Sequence, residues 1–338
     1  MRSIADAIVA CLIICSLLIS TSVCLAAGDA WIEKQDMPAA RMSLSASTVD
    51  GRVYAIGGWN NAPLSTVEEY DPATDTWMKK SDMPTARFRL STSVVGGKIY
   101  AFGGGKENKI PLAAVEEYDP ATDTWVKKSD MPTPNTYMAT SVVDGRIYLI
   151  GGGDRSRESV YSTVYEYDPV ADTWTRKADM PTARCNLSAA VVKDKIYVFG
   201  GWDFNIDFDT VEEYDPASDR WTTKQNMPAR NSNFAISVAN GKIYTIGGIE
   251  PFPSENCISS VEIYDPSWDA WAEGTPMPTA RCNVWASNFD DRIYVIGGEG
   301  ENTEPIAIVE EYTPEGWPFA VSLQSKLAAT WGSIKQNR

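Results

Sequence analysis

Histidine is absent from all 338 residues. That removes Ser-His triads, the commonest general base and the commonest metal ligand together. Basic residues are few: 30 Lys and Arg against 45 Asp and Glu leave a net charge of −15. Such a balance argues against nucleic acid and anionic membrane as partners. Cysteine is sparse where it would matter. Three of the six, Cys11, Cys15 and Cys24, fall in or beside an N-terminal leader, and Cys185, Cys257 and Cys282 lack metal spacing. In an exported chain those three allow one disulfide, with stability left to packing. The sequence also lacks a Gly-x-Ser-x-Gly elbow, a phosphate loop and an acidic loop of calcium-binding spacing. No catalytic residue, metal or cofactor is expected. No segment after residue 27 is apolar and long enough to span a membrane.

The leader reads as a secretory signal peptide. Arg2 precedes an apolar run from Ile8 to Ile19, and Leu25-Ala26-Ala27 supplies small residues for cleavage. Cys24 raises a lipoprotein alternative, although Thr21-Ser22-Val23 is a poor lipidation box. The expected location is secreted or periplasmic. Three segments are predicted: a signal peptide over 1–27, one repeat domain over 28–317 and a tail over 318–338.

The repeat is what the chain has in abundance. Gly-Gly pairs begin at Gly57, Gly103, Gly151, Gly200, Gly247 and Gly297, spaced 46 to 50 residues apart. Each is followed by a Tyr (Tyr70, Tyr118, Tyr167, Tyr214, Tyr264, Tyr312) and five of these by a Trp seven residues on (Trp77, Trp125, Trp174, Trp221, Trp271). A period near 50 in a β-rich chain means a propeller or an array. Within one copy, Asp50-Gly51, Gly96-Gly97, Asp144-Gly145 and Asn240-Gly241 mark two-residue hairpins, which need positive φ. Asp-Pro-x-x-Asp closes the third strand with a proline-set turn. The spacing predicts four antiparallel strands per copy and no helix between copies.

These marks, Gly-Gly, Tyr-Asp-Pro, Trp and then Met-Pro-Thr-Ala-Arg, resemble the kelch motif in six copies over about residues 31 to 317. The resemblance, to kelch proteins of the secreted bacterial type, implies an all-β, six-bladed propeller. The WD40 marks are missing. Trp31 to Arg41 matches Trp77 to Arg87 position for position, so the Trp31 strand is predicted to complete the last blade and close the ring. Trp317 is the rival for that place.

Strand polarity puts the six dissimilar loops between strands two and three on one face with the entry to strand one. Varied loops on a repeated scaffold are where binding residues sit. Sixteen residues before each Gly pair stand Arg41, Arg87, Asn135, Arg184, Asn231 and Arg281; two further on stand Ser43, Arg89, Tyr137, Asn186, Asn233 and Asn283. Two beyond those the residues are small except for Trp285. Period-2 alternation would bring both sets to a cationic mouth over a narrow channel. Arg grips carboxylate bidentately, so the candidate ligand-binding residues are Arg41, Arg87, Arg89, Tyr137, Arg184, Asn186, Asn233, Arg281 and Asn283. Trp59 and Trp202, next to the Gly pair, are candidate stacking platforms. Because Met-Pro-x-x-Arg belongs to the kelch pattern, the four in-register Arg equally suit a bracing role. The Glu-Glu pairs of strand three read as solvated strand edges.

The resemblance implies a non-enzymatic binding module, expected here as a monomer holding an acidic protein, peptide or glycan. Six-bladed kelch proteins of the periplasm also include sialic acid mutarotases, so a sugar mutarotase or epimerase is the alternative. Kelch-type copper oxidases need His ligands and are excluded.

Overall fold

The computed structural model describes residues 29–314, apart from 108–109, 155–157, 252–253, 255 and 301. The leader, Trp317 and the tail therefore lie outside the described residues.

The described residues begin with β1 (Ala30–Lys34), then make blade one from β2 (Ser45–Val49), β3 (Arg52–Ile56), β4 (Val67–Asp71) and β5 (Thr76–Lys79). Each later Gly-Gly unit repeats that order, giving six four-stranded antiparallel sheets. In blade six the fourth strand is β1. It pairs antiparallel with Val309–Thr313, setting Trp31 opposite Tyr312 and Lys34 opposite Val309. The ring is closed by the Trp31 strand, as the sequence match predicts.

The invariant aromatic residues lie between blades. Tyr70, Tyr118, Tyr167, Tyr214, Tyr264 and Tyr312 are all fully buried. The hydroxyls of the first five donate to the second Asp of their own Asp-Pro turn at 2.6 Å, as Tyr70 does to Asp75. That Asp also accepts a backbone N–H from the preceding blade, Gln35 to Asp75 at 2.9 Å. The Trp two residues later donates its indole N–H to the carbonyl of the same residue, Trp77 to Gln35 at 2.9 Å. Blades two to five repeat this clamp. In the closing blade Trp31 donates to the Thr275 carbonyl at 2.9 Å. The Tyr, Asp and Trp of the repeat thus join neighbouring wedges, and the apolar clusters between blades complete the core.

The inner ends meet in a second closed device. Ser43, Arg89, Tyr137, Asn186, Asn233 and Asn283 all have φ between 49° and 58°. Each N–H donates to the carbonyl of its counterpart in the previous blade, at 2.8 to 3.3 Å, from Ser43 and Asn283 right around the circle. Asn tolerates this left-handed backbone because its short polar side chain bonds locally. Arg and Tyr are held there against their preference.

Candidate functional site

The six left-handed residues ring a pocket on the propeller axis. Its free space, counting the open mouth, is about 470 Å³. Ser43, Arg89, Tyr137, Asn186, Asn233 and Asn283 all line it. Of the predicted mouth residues, these are the ones the structure brings together. Trp285 lines both this pocket and the cavity below it, where the other blades have Ser or Ala. With Leu187, Ser188 and Phe234, which also line both, it forms part of the floor of the mouth.

Arg89 is the cation at this site. Its guanidinium lies 4.2 Å from the Tyr137 ring centroid and 4.9 Å from that of Phe88, a cation–π sandwich that orients the planar group. The three Asn add amide donors and acceptors suited to hydroxyl or carboxamide groups. Glu299 stands beside them, accepting a hydrogen bond from the Asn283 amide at 2.7 Å. Burial pushes the Glu299 carboxyl up, against the opposing pull of Asn283 and Arg89. This carboxylate was not singled out by the pattern of repeats. The available signal was its place directly after Gly297-Gly298, where the other blades carry Trp, Gly or Ile.

Arg41, Arg87, Arg184 and Arg281 do not belong to the mouth. All four are completely buried inside their own blades. Each pairs with the first Glu of strand three: Arg41 with Glu68, Arg87 with Glu116 at 2.7 Å, Arg184 with Glu212 at 2.7 Å, and Arg281 with Glu310. Burial lowers the pKa of each guanidinium while its Glu opposes that shift. Terminal guanidinium N–H groups also donate to backbone carbonyls, as Arg87 does to Gly103 and Ala114 at 3.0 and 2.9 Å, and Arg87 Nε donates to the Met83 sulfur at 3.2 Å. The physical reason is the left-handed residue that follows two positions later. The regular strand starts only at Ser45 or its counterpart, so period-2 alternation does not extend back to the Arg. These arginines brace the blade, and the first Glu of each of these pairs is buried rather than solvated.

Trp59 packs on Phe88 with ring centroids 4.9 Å apart and Trp202 on Phe204 at 4.7 Å. Both sit at β-bridges, Trp59 with Met42 and Pro63 and Trp202 with Cys185 and Asp207, and both are half-buried. Cys257 and Cys282 form a disulfide, joining the blade-five loop to the residue before Asn283, and Cys185 is a buried thiol. Among the described residues no group of three or more Cys, Asp or Glu is placed to hold a metal, and no helix is long and apolar enough to cross a membrane.

Comparison with known proteins agrees with this architecture. The profile described as Attractin/LZTR1 beta-propeller matches residues 28–250, and the Kelch motif profile matches residues 230–278. No curated protein matches. A solved structure titled "Structure of YjhT" superposes with a TM-score of 0.73 at 17% identity, covering 83% of this chain and 97% of that one. At that identity the likeness speaks for the fold. With the matched profile extending over well more than half of its length, the chain belongs to the Attractin/LZTR1 β-propeller family and is built from kelch motifs.

Proposed function

We propose that the protein is an exported binding module whose central mouth holds the end of an acidic glycan. The observation that carries this reading is Arg89, sandwiched by Phe88 and Tyr137 on the rim of a pocket shared with three Asn and partly floored by Trp285. A carboxylate suits the guanidinium, hydroxyl and amide groups suit the Asn side chains, and the face of a sugar ring suits an indole. The pocket is small and concave, which favours a terminal sugar over a folded protein surface. The leader predicted over residues 1–27 supports export.

Calorimetric titration tests this. A glycan ending in a carboxylated sugar, such as a sialic acid, is expected to bind, and its neutral counterpart to bind weakly or not at all. Arg89→Ala should weaken the acidic glycan by about 30- to 100-fold, the worth of a charge-assisted hydrogen-bond pair. Arg52→Ala removes the same charge at the hairpin turn on the opposite face and should leave affinity unchanged. Equal affinity of wild type and Arg89→Ala contradicts the reading.

Glu299 favours one second reading, a sugar mutarotase. A carboxyl raised by burial within the electrostatic reach of Arg89 is the acid or base that proton transfer at an anomeric centre needs. NMR exchange spectroscopy of a sialic acid decides it. Anomer exchange accelerated by wild type and lost in Glu299→Gln would make the protein an enzyme; no acceleration leaves binding alone.

A further inference from the structure

The four buried Arg–Glu pairs expose what the other two blades do without them. In blade three Asn135 replaces the Arg and Tyr165 replaces the Glu, so both charges disappear together. Blade five breaks that rule. Asn231 replaces the Arg, yet Glu262 stays at the Glu position. A third partner is also missing: Thr85, Thr182 and Thr279 donate their hydroxyls to the Glu of blades two, four and six, and blade five has Ala229 there.

The acceptors of the absent guanidinium are still in place. Asn231 reaches the first of them, donating from its amide to the Gly247 carbonyl at 2.9 Å, where Arg87 and Arg281 donate to Gly103 and Gly297. It is too short to reach the position of the Glu. Glu262 Oε2 is buried with no hydrogen-bond partner. Thr245, its register neighbour on the second strand, is 2% exposed, and its Oγ1 likewise has none. Blades one, two, four and six have Ala or Val at the Thr245 position. A buried carboxylate oxygen on a half-buried Glu and a buried hydroxyl, both without partners and opposite each other in register, call for an occupant with donors.

We propose that blade five carries an open socket for a guanidinium group, bounded by Glu262, Thr245 and the backbone carbonyls that enclose the blade's own arginine elsewhere in the ring. The template is the molecule itself: four sister blades show how a planar cation sits among the equivalent atoms. Among the described residues, the one charged group acting on Glu262 is Glu273, paired with it from the outer strand. It adds a second negative charge opposite Glu262 in the sheet register. Burial and Glu273 push the Glu262 carboxyl up to about 7, and a bound cation offsets the charge that both disfavour.

The sign of the pH effect follows. A carboxyl raised above its ordinary range is favoured protonated in the folded chain. The destabilisation from its charge is therefore absent at acid pH and develops as pH rises through about 7. Cation binding should accordingly be strong near pH 8 and fade near pH 5.5, where Glu262 is mostly neutral.

Thermal unfolding of the full chain in low-millimolar guanidinium chloride, potassium chloride or urea tests the socket, urea being the neutral isostere. Near pH 8 the wild type is expected to gain about 2 °C in Tm, saturably, in guanidinium alone. Asn231→Arg should gain about 2–4 °C without any additive and lose the response. Glu262→Gln should lose the response too, and its Tm advantage over wild type should grow from pH 5.5 to pH 8. N-acetylarginine amide separates the sources: a matching gain assigns the socket to an arginine of another chain, and a gain with the free ion alone to a small cation. Equal shifts in guanidinium and potassium, or a response that survives in Glu262→Gln, overturns the proposal even if Asn231→Arg fails to fold. Neither result bears on the central mouth.

Discussion

Arg87→Met is expected to destabilise the propeller by about 3–5 kcal/mol, the usual result of removing one partner from a buried ion pair. Arg87 is fully buried and satisfies the Gly103, Ala114 and Ala101 carbonyls as well as Glu116. Truncation leaves the Glu116 carboxylate, itself 4% exposed, without its counter-ion. The loss should appear as a lower denaturant midpoint at unchanged slope. Blade three supplies the control, because Asn135 and Tyr165 occupy the same two places without charge. Arg87→Asn with Glu116→Tyr should therefore be less destabilised than Arg87→Asn alone. If the single variants cost under about 1 kcal/mol, the arginines are not braces, and a role at the mouth must be reconsidered.

Deleting residues through Lys34 is expected to abolish the cooperative transition of the full ring. β1 supplies five register pairs to Val309–Thr313, the Trp31–Tyr312 ring contact at 4.8 Å, and an ion pair from Lys34 to Glu311 at 3.1 Å. Without it the last blade offers an unpaired edge, the condition under which sheets associate. The truncated chain should unfold at least about 4 kcal/mol more easily than the intact one, a large part of the 5–15 kcal/mol typical of a domain. It should also elute as concentration-dependent aggregates. A truncated chain that stays monomeric with the wild-type midpoint contradicts the closure described here. The smaller change Trp31→Ala removes the indole hydrogen bond to Thr275 and the contact with Tyr312, and should cost about 2–4 kcal/mol.

Much of the scaffold was legible in the sequence because its signals are local. Gly57-Gly58 and its copies mark where strand two must turn at positive φ, and Tyr70, Asp75 and Trp77 lie close enough in the chain to recur as one motif. The closing strand could be read because Trp31 to Arg41 repeats Trp77 to Arg87. The candidate site was legible in part. Arg89, Tyr137 and the three Asn, which depart from the repeat at one fixed register, line the central pocket. Arg41, Arg87, Arg184 and Arg281 were drawn there with them by an alternation rule that fails beside a left-handed residue. Their real partners, Glu68, Glu116, Glu212 and Glu310, stand 27 to 29 residues away. The joint loss of both partners in blade three was visible in the sequence, but it acquires meaning only once the fold brings them together. Glu299 escaped notice because a single Glu in a varied loop resembles any solvated residue until its hydrogen bond to Asn283 is seen.

A crystal structure of the complex with a carboxylated sugar tests the central claim most directly. The account predicts the carboxylate within about 3 Å of the Arg89 guanidinium, on the axis, with the sugar over Trp285 and its polar groups on Asn186, Asn233 or Asn283. A ligand bound instead among the Asp-Pro turns of the opposite face, with Arg89 untouched, would contradict it.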